Sequence, residues 1–533
     1  MARLFVMHLI AAATSTAPVS LHPVDVAVVA GYLVAMLGLG VWVGRGQKTT
    51  VDYFLGGRSL PWWAVLLSIV STETSAVTFL SVPGMAFAAK GDLRFLQITF
   101  GYIVGRLAVI ALLLPLYFRG EPFTAYEVLE RRFGKTSRRV SSLLFIVTRN
   151  LADALRLYLA ALVLQEAVGL EMRTCIIIVG AVTVTYTYLG GVKSVVWNDC
   201  IQFTIYIIGA AVILYKILDG LPGGWEQFWE YGVENNKFRV FDFEWSLYKP
   251  TMTFWAGLIG GMFLTGSTHG TDHLTVQRLL AARSQREAGW ALGLSGFIVL
   301  FQFALFLIIG AALACFYEQL YPDPAMRPQQ GDRVVAHFII HHLSTPMIGL
   351  TLAAVFAAAF SSSLNPLAQS LVGDIVIPLA RRPLSREAQM RWGRLATLAF
   401  GVLQILIALV SYRAGASENV VNSVLGIAAF TSGPMLGLYL LGVLTPRVSE
   451  RPAIGGFVIG LVALTYVVLP TIKLETYPDW WFWHDPSRTP IYWPWLAVIG
   501  AGCTFGMGYL LSWTPVNQIR TDADSQLSPG RAK

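Results

Sequence analysis

The chain has 533 residues, 55% of them hydrophobic and 13% charged, with a mean hydropathy of +0.59. A soluble protein carries about 25% charge, so this composition argues against a soluble enzyme and for a protein that crosses a bilayer many times. The net charge of +8 is spread over short loops rather than gathered into a patch. Nucleic acid is therefore not an expected partner; the lipid bilayer and a small-molecule solute are.

Residues 1–19 hold Arg3, a short apolar run and small residues. A spanning segment follows at once, so they read as an unremoved tail rather than a cleaved signal. A leader segment covers about 24–43. Core segments then run near 61–89, 93–118, 139–168, 174–190, 195–219, 251–275, 288–317, 334–379, 389–412 and 418–444, with two more near 453–472 and 492–513. About 20 apolar residues cross a bilayer, so thirteen transmembrane helices are predicted in an all-α polytopic protein. Residues 1–60 form the tail, leader and first loop, 61–219 and 251–444 hold five core segments each, and 445–533 hold two peripheral helices and a short tail. The loops at 220–250 and 471–491 are rich in Trp, Tyr and Phe, rings that favour the headgroup level, and are expected to cap one face. Cys175, Cys200, Cys315 and Cys503 lie in or beside apolar segments, without the spacing of a disulfide framework or a zinc site.

Orientation follows from lysine and arginine. Alternate loops of one set hold 23 of them and the other set 13, while Arg106, Arg149 and Arg156 lie inside spans. The excess marks the cytoplasmic side, which predicts a multi-pass protein of the cell membrane with its N-terminus outside and its C-terminus inside.

Two segments are wrong for lipid-facing helices. In 61–89, Ser71, Thr72, Glu73, Thr74 and Ser75 put five polar residues in a row near mid-depth, and Pro83 and Gly84 follow. A charge there costs roughly 2.5–3.5 kcal/mol, and broken backbone survives at that depth only inside protein or around a cavity. Segment 251–275 contains Gly260, Gly261, Gly266 and Gly270, then Ser267, Thr268, His269, Thr271, Asp272 and His273 toward its end. Counted within the core these are the first and sixth segments, of opposite sense, each opening a half of five. That pattern suits an inverted-repeat transporter binding its solute at the midplane. His269 and His273 are four apart but lack a third ligand, and read as polar packing. No nucleophile–base set or metal cluster assembles, so an enzyme is not expected, and a channel would not need two inverted breaks.

In the third core segment, TRNLADALRLYL, Arg149, Asp153 and Arg156 share one helix face at spacings of four and three. Two readings stand. Asp153 neutralises an arginine structurally, or a free guanidinium takes a carboxylate-bearing solute as a bidentate pair.

The stretches DYFLGGRSLPWW, STETSAVTFLSVPG, LGGVKSVVWNDCIQ, HLTVQRLLAARS, SSSLNPLAQSLVGDI and SGPMLGLYLLG, in that order between about 22 and 445, resemble the sodium/solute symporter family, relatives of sodium/glucose cotransporters and the sodium/proline symporter. The resemblance implies a LeuT-like five-plus-five inverted repeat, with one helix before it and two after, and sodium-coupled symport of a small organic solute by alternating access. Sodium is the coupling ion and no other cofactor is implied.

The family's main sodium site uses carbonyls of the first core helix, which fall on Ser71 and Thr74, and a carbonyl of the eighth, which falls on Val355. The paired hydroxyls of that helix fall on Ala358 and Ala359, which supply none. A second site in some members would use Asp199 with Ser361 and Ser362, all retained here. Glu73 lies where the proline symporter has an important aspartate, and is expected to act as a coupling carboxylate. A buried carboxylate without a countercharge is costly, so Asp199 and Glu73 are read as holding a cation or a proton. Proton-coupled symport and uncoupled facilitation by the same fold remain the alternatives. For the solute, the alignment gives Thr78, Gln97, Thr265 and Thr268, to which the third segment adds Arg149 and Arg156. The family's sugar-binding asparagine and gate tyrosine fall on Thr265 and Thr268, and a tenth-helix glutamine on Gly426, which speaks against a plain sugar.

Overall fold

In hydrocarbon every backbone N–H and C=O must find its partner within the protein, and the apolar runs meet this by folding as helices. The computed structural model describes residues 22–45, 49–74, 76–120, 122–329, 331–359, 363–413, 420–468 and 491–513. Among them the one β-bridge, Leu60 to Ala282, is isolated. The first segments fold as α1 (Pro23–Gly44), a broken pair α2 (Trp62–Glu73) and α3 (Ala76–Phe87), α4 (Ile98–Leu112), α5 (Lys135–Val168) and α6 (Met172–Gly220). A second broken pair follows, α7 (Gly261–Gly270) and α8 (His273–Leu280), then α9 (Gln285–Leu320), α10 (Gly331–His342), α11 (Met347–Ala359), α12 (Leu364–Ser370), α13 (Arg386–Arg413), α14 (Val420–Leu444), α15 (Glu450–Val468) and α16 (Pro494–Leu511).

Seven described helices are long and apolar enough to cross a membrane, and the α2–α3 pair, bent by 57°, makes an eighth. The fourth and fifth predicted segments share α6, which Gly191 divides at φ 56°, ψ −164°. That φ favours glycine because a Cβ would clash. Segment 334–379, expected as one span, is three helices instead. Pro346 ends the first, since its ring cannot continue a helix from the preceding residue. Asp25 of α1 closes the gap by accepting from Thr345 Oγ1 at 2.6 Å and from the Gly349 amide at 2.7 Å.

The helices that frame the centre approach closely because glycines line their crossing. A Cβ on Gly101 would lie 2.3 Å from the Gly257 carbonyl oxygen, and one on Gly261 2.7 Å from the Ile98 carbonyl oxygen. Small residues four apart on both partners let the backbones touch. The loop over 235–254 stacks Phe241 on Phe243 and sets Trp245 edge-on against Trp495 at the start of α16. The 471–491 loop expected to join them is described only at Ile491, and residues 1–19 also lie outside the described residues.

Candidate functional site

The break between α2 and α3 is written in its hydroxyls. Thr74 leaves helical geometry at φ −82°, ψ 85°. Thr72 Oγ1 donates back to the Ser68 carbonyl at 2.7 Å, Thr74 Oγ1 to the Val70 carbonyl at 2.9 Å. Such local bonds compete with the helix ladder. Gln302 of α9 holds the kink, its Nε2 donating to Thr74 Oγ1 at 2.5 Å. The partner break lies at Thr271–Asp272, where the Asp272 side chain caps α8 by accepting from the Leu274 amide at 2.8 Å. Both breaks border one cavity of about 170 Å³, whose polar lining includes Glu73, Thr78, Arg149, Arg156, His269 and Asp272. That is well above the minimum a single water needs, and gives room for several waters or a small organic solute.

Its charges come in balanced groups. At one side Glu73 Oε2 accepts from Nη2 of Arg106, an α4 arginine with no exposed surface. The same Nη2 lies 3.3 Å from His269 Nε2. A guanidinium only donates, so Nε2 is assigned as acceptor and the ring proton sits on Nδ1, which is 3.0 Å from both Thr265 Oγ1 and Thr268 Oγ1. Glu73 Oε1 makes no hydrogen bond among the described residues, and the carboxylate keeps 17% exposure. At the other side Arg149 Nε meets Asp153 at 3.1 Å, with Asp272 3.7 Å from its Nη1. Arg156 has one carboxylate contact, Nη1 to Asp153 Oδ1 at 3.4 Å, and its Nε is buried without a partner among the described residues. Asp153 is fully used, because its Oδ2 also accepts from Ser363.

A second network lies between α2, α6 and α8. Asp199 Oδ2 accepts from Ser68 Oγ at 2.5 Å and from Arg278 Nη2 at 3.1 Å. Arg278, 1% exposed, also donates from Nε to Ser68 Oγ at 2.8 Å and from Nη1 to the Leu274 carbonyl at 2.9 Å. The premise that Glu73 and Asp199 lack a countercharge is therefore corrected: Arg106 and Arg278 supply it. Arg106 was visible in the sequence as a charge inside an apolar span. Its pairing across 33 residues, and that of Arg278 across 79, were not.

Of the expected solute residues, Thr78 and Thr268 line the cavity with Arg149 and Arg156. Gln97 does not. It is fully buried, donating to the Arg94 and Met252 carbonyls and accepting from the Asp242 amide, and so fastens the start of α4 to the 235–254 loop. Thr265 sits behind the lining on His269. Of the expected cation residues, Ser71 is buried with its hydroxyl unpartnered among the described residues, and Thr74 and Val355 are buried. Ser361 and Ser362, and the side chains of Ala358 and Ala359, lie outside the described residues. His269 and His273 do not converge: His273 Nδ1 accepts from the Ala125 amide.

The pattern of the sodium:solute symporter family matches residues 53–460 of this chain. The chain belongs to the sodium:solute symporter family. It is 29% identical to the sodium/sialic acid symporter SiaT of Proteus mirabilis over 456 residues, which cover 83% of this chain and 88% of that one. It is 28% identical to the human sodium-coupled monocarboxylate transporter 1 over 503 residues, 92% of this chain and 79% of that one. A solved structure of a substrate-bound, outward-open Na+-coupled sialic acid symporter superposes with a TM-score of 0.80 at 27% identity, covering 92% of this chain and 98% of that one. The family fold is thus the LeuT-like one, the family function is sodium-coupled solute symport, and sodium is the coupling ion. The chain is a multi-pass membrane transporter of this family.

Proposed function

We propose that this symporter carries a carboxylate-bearing organic solute, held at Arg156 in the central cavity. The observation that carries the reading is the unfilled guanidinium. Among the described residues, Arg156 borders the cavity, has a buried Nε without a partner, and has a single long contact to a carboxylate that two other groups already use. A planar guanidinium takes a carboxylate through two parallel hydrogen bonds, which neither the aromatic walls nor Asp153 offer. Sialic acid and monocarboxylates, the solutes named for two relatives, both bear that group. Thr78 and Thr268 are positioned as further hydrogen-bonding groups, and Arg149, held by two acids, positions Arg156 by keeping Asp153 in place.

Sodium is assigned to neutral oxygens near the α2–α3 break. These are the carbonyls of Ser71, Thr74 and Val355 with the hydroxyls of Ser361 and Ser362, in keeping with the oxygen ligands a hard cation takes. Asp199, its charge met by Arg278, is the neighbour of that site rather than a lone anion waiting for an ion. The reading keeps thirteen spans, two halves of five at 61–219 and 251–444, a cytoplasmic C-terminus and no catalytic activity.

The test is binding and uptake by reconstituted protein across labelled organic acids, amino acids and sugars, in sodium and in choline. A carboxylate-bearing solute should accumulate in sodium only. Arg156→Ala should raise its KM by roughly 10- to 100-fold, the loss of one charge-assisted pair, with kcat changing far less. Uptake of an uncharged sugar with Arg156→Ala unchanged would overturn the reading.

A further inference from the structure

The cavity has a second unfilled group, of opposite sign. Glu73 Oε2 is taken by Arg106, while Oε1 makes no hydrogen bond among the described residues and the carboxylate borders the same space as Arg156. Arg106 is fully buried and meets the carboxylate through Nη2 alone, its Nε and Nη1 being buried without a partner among the described residues. The tautomer assigned to His269 points its only N–H at Thr265 and Thr268, so that ring offers Oε1 no proton either.

Resting on the carboxylate reading above, we propose that the solute is zwitterionic: a carboxylate that also bears a protonated amine, with the amine donating to Glu73 Oε1. Each alternative leaves a polar group buried and unmatched. A plain carboxylate would fill Arg156 but leave Oε1 desolvated as the solute displaces water, and a buried acceptor without a donor is costly. A plain amine would fill Glu73 and leave Arg156 unmet. A zwitterion meets both and adds no net charge to a site whose own charges already balance, since Glu73, Asp153 and Asp272 face Arg106, Arg149 and Arg156. Glu73 thus acts as a specificity residue, with Arg106 as the positioning residue that keeps it ionised and aimed.

The experiment uses matched pairs of 2-hydroxy and 2-amino acids on the same carbon skeleton, from alanine and lactate upward in size. Each is added to the purified full-length protein in sodium and scored by the rise in melting temperature and by affinity. The amino member of a stabilising pair should bind at least about tenfold more tightly, the size of one charge-assisted hydrogen bond. Glu73→Gln should bring that ratio to near one, chiefly by weakening the amino acid, and Glu73→Asp should keep a preference for the amine. Should Glu73→Gln fail to fold, Glu73→Asp and the parent's own ratio still decide the matter. Hydroxy acids that bind as well as their amino partners, with a ratio unmoved by Glu73→Gln, overturn the zwitterion and leave the carboxylate reading intact. Neither class binding, or binding indifferent to Arg156→Ala, overturns the carboxylate reading itself.

Discussion

Replacing Asp199 with Asn separates two roles that its burial alone would not distinguish. In the parent, Asp199 and Arg278 are both 1% exposed in side-chain terms and 3.1 Å apart. Removing one partner of such a pair strands a buried charge, at about 3–5 kcal/mol. Here Arg278 would keep two bonds, to Ser68 and to the Leu274 carbonyl, and Asn can still accept one more, so the expected loss is at the lower end, about 3 kcal/mol. Removing both charges with Asp199→Asn and Arg278→Met should recover most of it, because the stranded guanidinium goes with its partner. The assay is the melting temperature of purified protein in detergent, by intrinsic fluorescence, for the parent, both single variants and the double. The singles should melt several degrees lower and the double between them and the parent, a coupling of the kind a double-mutant cycle isolates. Losses that simply add would refute the pair.

The same samples in sodium and in choline address the ion. A ligand bound only by the folded state raises its melting temperature. Because sodium is assigned to carbonyls and hydroxyls, the double variant should retain a sodium-dependent rise. Its disappearance would make Asp199 a direct ligand and remove the neutral-oxygen site.

Two further outcomes follow from the packing and the outer loop. Gly101→Leu drives a side chain into the backbone of 257–262, where a Cβ alone meets three backbone atoms within 2.7 Å; overpacking of that kind costs about 1–3 kcal/mol or more, and a variant melting like the parent would mean that the α4–α7 crossing is looser than described. Asp242, in the loop beyond the membrane, is pushed up by its burial, but Lys249, Arg94 and the Glu244 amide outweigh this and hold its carboxyl at about 2. That value lies below the ordinary one of 3.8, so the loop anchor is at full strength above about pH 4 and weakens as pH falls toward 2. Cleavage of the loop by the acid protease pepsin should therefore rise over that window in the parent and be high already at pH 4 in Asp242→Asn, and equal cleavage of the two would refute the anchor.

The broken helices were legible because their cause is local. Hydroxyls at Thr72 and Thr74 bond the carbonyls four residues back, and Asp272 caps the next residue but one; each acts within a few residues of where it stands in the chain. Countercharges were not, since Arg106 reaches Glu73 across 33 residues and Arg278 reaches Asp199 across 79, and no periodicity records which buried charges meet. The lone-carboxylate argument went wrong at that point: it treated each acid as isolated because its partner lay on another helix. Gln97 shows the converse. Its position in the family pattern suggested a solute contact, but the loop that returns through 242 and 252 supplies two backbone groups and Arg94 a third, which together use its amide completely.

Paired charge also bears on why transport is coupled at all. With Glu73 met by Arg106, Asp199 by Arg278, and Asp153 and Asp272 by Arg149 and Arg156, the centre carries no net charge to attract a lone ion. A sodium ion entering neutral oxygens loses hydration with only dipoles in return, and a carboxylate arriving at Arg156 perturbs a cluster that was balanced without it. Together they offset one another. For a solute carboxylate roughly 6–10 Å from sodium at an effective dielectric of about 20, the attraction is about 2–3 kcal/mol. The repulsion of a protonated amine at Glu73 subtracts from it, so a zwitterion couples to sodium more weakly than a plain carboxylate. That gain must be the same in both directions, since the coupling free energy belongs to the pair of ligands rather than to either one. A site carrying a spare negative charge would bind sodium whether or not the solute was present, and would let the ion leak down its gradient alone. Neutralising every fixed carboxylate with an arginine removes that option, and on the reading proposed above leaves the solute to supply the charge that favours sodium.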